Sequence, residues 1–341
     1  MNIKSTNKVI LAIETSCDET AASVCINGKI YSNVIFQQED HSNLGGVVPE
    51  IASRAHLKKI NQVVSNSLEQ ANISITDVDA LAIANGPGLM GSLLVGSGFA
   101  KGLASAHSIP MLPVDHLSAH IYAHFIDAPI PELPFACLLV SGGHTFIFEM
   151  NEKYQLSLIG KTIDDAAGEA LDKCAKLMKL PYPGGPEIDR LSKMGNPNAF
   201  VFSKPKLADY NYSFSGLKTA FLNLIRNQEQ KNPNFIEENL FDLCASIQKT
   251  IVDYLIEVFK KYLKDSQIRN IGISGGVAAN SMLREAIANL GEQVDANFFI
   301  PDLSYCTDNA AMIAKAGDMQ FDQLKTTEPN FEPYAKSPWK K

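Results

Sequence analysis

The chain repeats its own plan, and the repeat limits the folds open to it. Residues 8–36 run KVILAIE, a polar turn TSCDET, AASVCI, the pair Asn27-Gly28 and KIYSNVIF. Such alternation of apolar runs and turn residues predicts three strands, with an Asn-Gly hairpin at the second turn. Residues 135–163 follow the same plan: FACLLV, SGGH, TFIFEM, NEKY and QLSLIGKTI. Each half then carries a strand–glycine loop–helix unit, DALAIANGPGLMGSLLVGSGFAKGLASA in the first and RNIGISGGVAANSMLREAIANL in the second. PEIASRAHLKKINQVVSNSLEQA and NLFDLCASIQKTIVDYLIEVFKKYLKD place apolar residues at three- and four-residue spacing, so they are expected as helices. A duplicated unit of this kind implies an α/β protein of two mixed-sheet domains facing each other over a cleft.

At 341 residues the chain has the length for two cores. The proline-bearing segment IDAPIPELP supplies a hinge, so the expected division is 1–128, 129–325 and a loose polar tail, 326–341. This layout resembles the actin-like ATPase and sugar kinase superfamily. The net charge of −7 excludes a basic field over the whole surface, so any nucleic-acid contact must use a local patch or a partner. Six scattered cysteines without a CxxC pair suit a reducing compartment and give no thiolate zinc site. The first apolar run, VILAI, is short and stops at Glu14, unlike an export signal, and the expected location is the cytoplasm. Residues 80–100 are uncharged, but Asn85-Gly86-Pro87-Gly88 breaks any spanning helix there, so no membrane association is expected.

Three of the seven histidines, His116, His120 and His124, fall four residues apart in VDHLSAHIYAHF. On a helix such neighbours lie about 40° apart around the axis, near enough for two rings to reach one ion. A neutral imidazole pair suits zinc or iron(II), with a third ligand from elsewhere and one of the three histidines a bystander. In zinc proteases a glutamate directly follows the first histidine, but here that position is Leu117. Asp308, just before the alanine-rich pattern NAAMIAKAG, is either a helix cap or that third ligand.

Two glycine loops, SGGHT at 141–145 and ISGGVAANSMLR at 273–284, have the backbone freedom and the helix start that suit a phosphate. The acidic turn Glu14 to Thr20 would repel a bare phosphate, and suits a bridging cation or an amine awaiting deprotonation. Residues 190–226 hold six basic residues and one acid, interleaved with Phe200, Phe202, Tyr210, Tyr212 and Phe214. They read either as a surface that tracks a phosphate backbone and stacks on loop bases or as a helical hairpin with half of those aromatics in the core.

ETSCDET, HLSAH, VSGGHT, KTIDDAAGEALDKCAKLMKLPYPGGPEIDRL, YSFSGLKTA, ISGGVAANSMLR and CTDNAAMIA occur in that order over nearly the whole chain. Together they closely resemble the tRNA threonylcarbamoyladenosine transferase family, formerly known as O-sialoglycoprotein endopeptidase. The resemblance implies an actin-like fold and transfer of a threonylcarbamoyl group from threonylcarbamoyl-AMP to an adenosine. The acceptor is the exocyclic amine at tRNA position 37, just 3′ of the anticodon, in tRNAs reading codons that begin with A, with release of AMP. It makes His116, His120 and Asp308 ligands of one divalent metal, iron(II) or zinc, and leaves His124 out. It assigns the adenylate to Val140, Ser141, Gly142, Gly143, His144, Asp172, Gly185, Asp189 and Asn280, and puts Asp18 and Glu19 near the reacting group. It also implies partners: the tRNA anticodon stem-loop, a shortened paralogous subunit and a small P-loop ATPase. The alternatives are a metallopeptidase, which lacks its base at Leu117, and an actin-fold ATPase or kinase.

Overall fold

β1 (Val9–Glu14) is buried at every position, as the apolar run of residues 9–13 requires of a strand covered on both faces. The computed structural model describes residues 8–38, 41, 46–127, 129–321 and 331–340. The chain forms two units: Met1–Ile130 with Pro301–Lys341, and Pro131–Ile300.

In the first unit β2 (Glu19–Ile26) and β3 (Lys29–Gln37) continue β1 as an antiparallel meander. Their hairpin turns at Asn27 and Gly28, both at positive φ (51° and 80°), the conformation an Asn-Gly pair adopts readily. α1 (Pro49–Gln70), β4 (Ala80–Gly86), α2 (Met90–His107), β5 (Met111–Asp115) and α3 (His116–Tyr122) complete the first run. The sheet order is β3-β2-β1-β4-β5, with β4 parallel to β1 and β5 parallel to β4.

The second unit contains β6 (Phe135–Val140), β7 (Thr145–Met150), β8 (Leu156–Lys161), α4 (Ala167–Leu177) and α5 (Gly184–Ser192). α6 (Ser215–Glu229), α7 (Phe235–Ser266), β9 (Asn270–Ser274), α8 (Ser281–Val294) and β10 (Asn297–Phe299) follow. Its order, β10-β9-β6-β7-β8, repeats the first, joint for joint: two antiparallel pairings on one side of the central strand and two parallel ones on the other.

The chain then adds α9 (Leu303–Cys306) and α10 (Ala310–Gln320), and here the domain boundary expected at 325 is corrected to 300. Leu11 and Ile13 pack toward α1 and α2, which leaves the other face of the first sheet to α10. Gly317 lies so close to that face that a Cβ there would stand 2.8 Å from the Ala82 Cβ. Asn33 of β3 accepts from the Ala311 amide (3.2 Å), and Lys315 donates to the Gly28 carbonyl (3.0 Å). Covering the second face of a sheet whose central strand is buried throughout is what brings the last helix back.

The tail also departs from expectation. Residues 326–330 and 341 lie outside the described residues, but Phe331 packs against the first core, and Tyr334 and Trp339 are hydrogen-bonded to Asp115. Of the two readings of the aromatics of 190–226, burial in the core holds for three of the five. Tyr212 and Phe214 are fully buried and Phe202 nearly so, Phe200 and Tyr210 lean on the same core, and none of the first three can stack on a base. Lys204 pairs with Glu257 and Arg190 with Glu187, so the surface is less basic than its composition. No helix among the described residues is long and apolar enough to cross a membrane.

Candidate metal centre and glycine loops

The turn from β1 to β2 is acidic and pinned from several directions. Glu14, the last residue of β1, is wholly buried, and its Oε1 accepts from the Ser16 amide (2.5 Å). The Ser16 carbonyl accepts from the Leu89 amide (2.7 Å), and Thr15 Oγ1 donates to the Ser92 carbonyl (3.0 Å). That approach requires glycine at 88, where a Cβ would stand 2.4 Å from the Ser16 carbonyl oxygen. From α1, His56 donates through Nε2 to the Cys17 carbonyl (2.9 Å), which leaves Nδ1 to accept from the Thr20 hydroxyl (2.8 Å). Burial holds the His56 imidazole below its ordinary pKa, in keeping with this neutral tautomer.

β5 feeds directly into α3, and Asp115 caps that helix by accepting from the amide and hydroxyl of Ser118 (both 2.8 Å). His116 and His120, one turn apart, are both buried, with ring centroids 4.8 Å apart and planes 82° to each other. His116 Nδ1 donates to Glu14 Oε2 at 3.0 Å, with Ser16 Oγ at 3.2 Å, so its Nε2 is presented to Asp308 Oδ1 at 3.5 Å. His120 Nε2 stands 3.2 Å from the same oxygen, and its buried Nδ1 has no hydrogen-bond partner, so its polar anchoring comes from the Nε2 side alone. Asn309, not Asp308, caps α10, accepting from the Met312 amide at 3.0 Å.

The ligand atoms of His116, His120 and Asp308 lie within 4.8 Å of one another. Two imidazole nitrogens and one carboxylate oxygen fit a divalent zinc or iron(II) ion and leave positions open for a substrate. The Glu14 contact is the carboxylate–histidine arrangement that fixes a ligand's tautomer and aim. Burial alone would lower the His116 imidazole, but the Glu14 and Asp308 carboxylates outweigh it and hold the pKa at about 10. The field that favours that proton equally favours a cation in its place. Burial, then Asp308 and Asp18, push the Glu19 carboxyl and the Cys17 thiol well above their ordinary values. His124 stands apart in the 3-10 turn Ala123–Phe125, donating to the Ile121 carbonyl (3.0 Å).

In the second unit Val140 ends β6 and Ser141 to His144 turn the chain into β7. The Ser141 amide donates to the His144 carbonyl (2.8 Å) and the His144 amide to Ser141 Oγ (3.1 Å). Gly142 and Gly143 are exposed, with open space where a Cβ would be. Behind them the fit is close: a Cβ on Gly275 (φ +85°) would stand 2.5 Å from the Val140 carbonyl, and one on Gly168 2.6 Å from that of Ser141. Asp172 on α4 accepts from the amides of Gly184 and Gly185 (2.8 and 3.1 Å), tying down the start of α5. Burial nonetheless raises its carboxyl above the ordinary value.

Asp189 Oδ1 accepts from the Ser281 amide (3.2 Å), the Ser281 hydroxyl (2.8 Å) and Gln248 Nε2 (3.1 Å). Asn280 caps α8 through the Leu283 amide (3.0 Å) and donates to Gln248 Oε1 (3.0 Å). Asp189 and Asn280 are thus joined through Gln248, while Asp172 and Gly185 pair at the other end of α5.

Glu14 and His56 are the participants that sequence reading left out of the site. Glu14 stands out in sequence only as an acid in the turn, and its partner is 102 residues away. His56 sits in a helix whose pattern marks it as one more polar residue.

Fold and site together define a class: a duplicated actin-like α/β protein with a histidine–carboxylate centre beside an acidic turn. The profile of tRNA N6-adenosine threonylcarbamoyltransferase matches residues 29–315, and the chain belongs to that family. Relatives of that name include one from Christiangramia forsetii, 48% identical over 334 residues covering 97% of this chain and 98% of the relative. Another, from Riemerella anatipestifer, is 49% identical over 318 residues, 92% and 93% of the two chains. Among solved structures, HypF from T. kodakarensis shares the fold with a TM-score of 0.66 at 13% identity, over 93% of this chain and 48% of that one. HypF in its phosphate- and nucleotide-bound form aligns with a TM-score of 0.60 at 12% identity, over 93% and 47%.

Proposed function

We propose that this chain transfers the threonylcarbamoyl group of threonylcarbamoyl-AMP to the exocyclic amine of adenosine 37, in tRNAs that read codons beginning with A. The observation that carries this reading is the convergence of His116, His120 and Asp308, backed by Glu14, in a member of this family. In the reaction the amine nitrogen bonds to the carbamoyl carbon, the bond from that carbon to the phosphate oxygen breaks, AMP departs, and the amine loses a proton.

His116, His120 and Asp308 would hold one divalent ion, iron(II) or zinc. Bound there, it would supply Lewis-acid polarisation of the carbamoyl and phosphate oxygens. Glu14 keeps the His116 ring aimed at that position. Asp18 or Glu19, on the same acidic turn, would take up the amine proton. The exposed Gly142-Gly143 turn with Val140, Ser141 and His144, together with Asp172, Gly185, Asp189 and Asn280, would hold the adenylate. An unpaired anticodon-loop base needs little energy to leave its stack. The proposed partners are the tRNA anticodon stem-loop, a shortened paralogous subunit and a small P-loop ATPase, in the cytoplasm. Leu117, buried where a zinc protease has its glutamate, leaves proteolysis without a base.

The test is reconstitution with threonylcarbamoyl-AMP, unmodified tRNA and metal, with and without the two partner proteins, followed by nucleoside analysis. Threonylcarbamoyladenosine is the expected product. Its absence under every combination, or steady ATP turnover with neither tRNA nor partners, overturns the reading.

A further inference from the structure

Asp115 is the residue through which the start of α3 is fixed, and the chain's C-terminal segment holds it. Its Oδ2 accepts from the Tyr334 hydroxyl (2.5 Å). Its Oδ1, already bonded to Ser118, accepts from the indole Nε1 of Trp339 (3.4 Å), the only tryptophan in the sequence.

The route to this contact is built, not incidental. Phe331 lies under the ammonium of Lys101 on α2, which stands 4.9 Å from its ring and donates to its carbonyl (2.8 Å). The Tyr334 amide donates to the Asn85 carbonyl (3.0 Å), at the end of β4. Next to it Gly86, at φ +136°, has no side chain, and a Cβ there would stand 2.1 Å from the Tyr334 carbonyl oxygen and 2.7 Å from its ring. Gly86 is also the ladder partner of Asp115. The glycine in the ANGPG loop therefore admits the tail to the one carboxylate that starts the histidine helix.

That helix has seven residues, too few to keep its form without outside contacts. With both histidine ligands on it, a small error in its aim is an error in the centre itself. We propose that Tyr334 and Trp339 are positioning residues for the His116–His120–Asp308 centre, acting through Asp115. The inference rests on the reading that this centre holds a divalent metal.

The test compares the full chain with Tyr334→Phe, Trp339→Phe and the double variant, by amide hydrogen exchange in metal-free protein and by cobalt(II) titration read from visible absorption. In the double variant the amides of 118–122 should exchange at least about tenfold faster and cobalt should bind about tenfold more weakly, about 1.4 kcal/mol. Exchange in α1 should be unchanged. Tyr334→Phe removes a single hydroxyl and should show the same pattern in smaller degree, which covers the case of a double variant that fails to fold. Unchanged exchange in 118–122, or faster exchange with cobalt affinity intact, overturns the proposal. If the unmodified chain binds no cobalt, it is the metal reading that fails, and the exchange result alone decides whether the tail braces the helix.

Discussion

The two sheets place a four-residue turn at the same point of the same topology and fill it with opposite chemistry. Between β1 and β2 stand Thr15, Ser16, Cys17 and Asp18, flanked by Glu14 and Glu19; between β6 and β7 stand Ser141, Gly142, Gly143 and His144. The first turn is held by side chains and helix contacts, and it concentrates carboxylates around two imidazoles. The second is held by its own backbone and Ser141, carries no acid, and leaves Gly142 and Gly143 exposed. One backbone plan therefore gathers carboxylates in one copy and presents open glycines in the other. The choice lies in which side chains the turn carries, since the order and the parallel or antiparallel sense of the strands beneath are common to both.

The largest effects should come from emptying the first turn's partner set. His120→Ala and Asp308→Ala each remove one of the three proposed ligands and should cut divalent metal affinity and transfer rate by more than about a hundredfold. Metal content after dialysis and nucleoside analysis check this together. Glu14→Gln keeps the shape but loses the charge that orients His116, and should weaken metal binding by about 10- to 100-fold. An unchanged affinity would show that Glu14 is only a buried strand end. Turning the second turn into a copy of the first is a gentler break. Gly143→Asp meets open space, so the unfolding midpoint should hold. A carboxylate placed beside a bound adenylate phosphate should raise KM about tenfold or more, on the order of 1–4 kcal/mol of like-charge repulsion.

Much of this was legible in sequence because it rests on short-range pattern. The duplicated strands and the glycine loops follow from apolar runs and turn residues, and the structure places them as expected. The pairing of His116 and His120 follows from helical spacing. What resisted was anything set by long-range covering of a surface. α10 belongs to the first unit because the open face of that sheet needs it, and no local signal in NAAMIAKAG says which sheet it will cover. The tail's polar composition gave no sign that Gly86 had made room for Tyr334. The aromatics of 190–226 alternate with lysines, yet Tyr212 and Phe214 are buried, because composition does not record which face of a segment meets the core. Asp308 was left between capping and ligation until Asn309 took the cap.

The smallest effect concerns how each turn is held. His56 anchors the first turn as a neutral ring, whereas the bonds that close the second involve no titrating side-chain nitrogen or oxygen. Burial sets the folded pKa of His56 below the ordinary 6.5. Above that pH the ring is neutral in both folded and unfolded chains, and its titration contributes nothing to the pH dependence. Below it the unfolded chain takes up a proton that the fold resists, so stability declines as pH falls from about 6.5 toward the depressed folded value. The slope is at most about 1.4 kcal/mol per pH unit for one proton. His56→Gln offers an amide that can donate to Cys17 and accept from Thr20 without titrating. Urea midpoints of the metal-free chain between pH 7 and 5 should fall less steeply in the variant than in the parent. Hydrogen exchange should place the difference at residues 15–20 and leave 141–144 unaffected. Parallel profiles for the two proteins would mean that the first turn, like the second, is held without help from a neutral histidine.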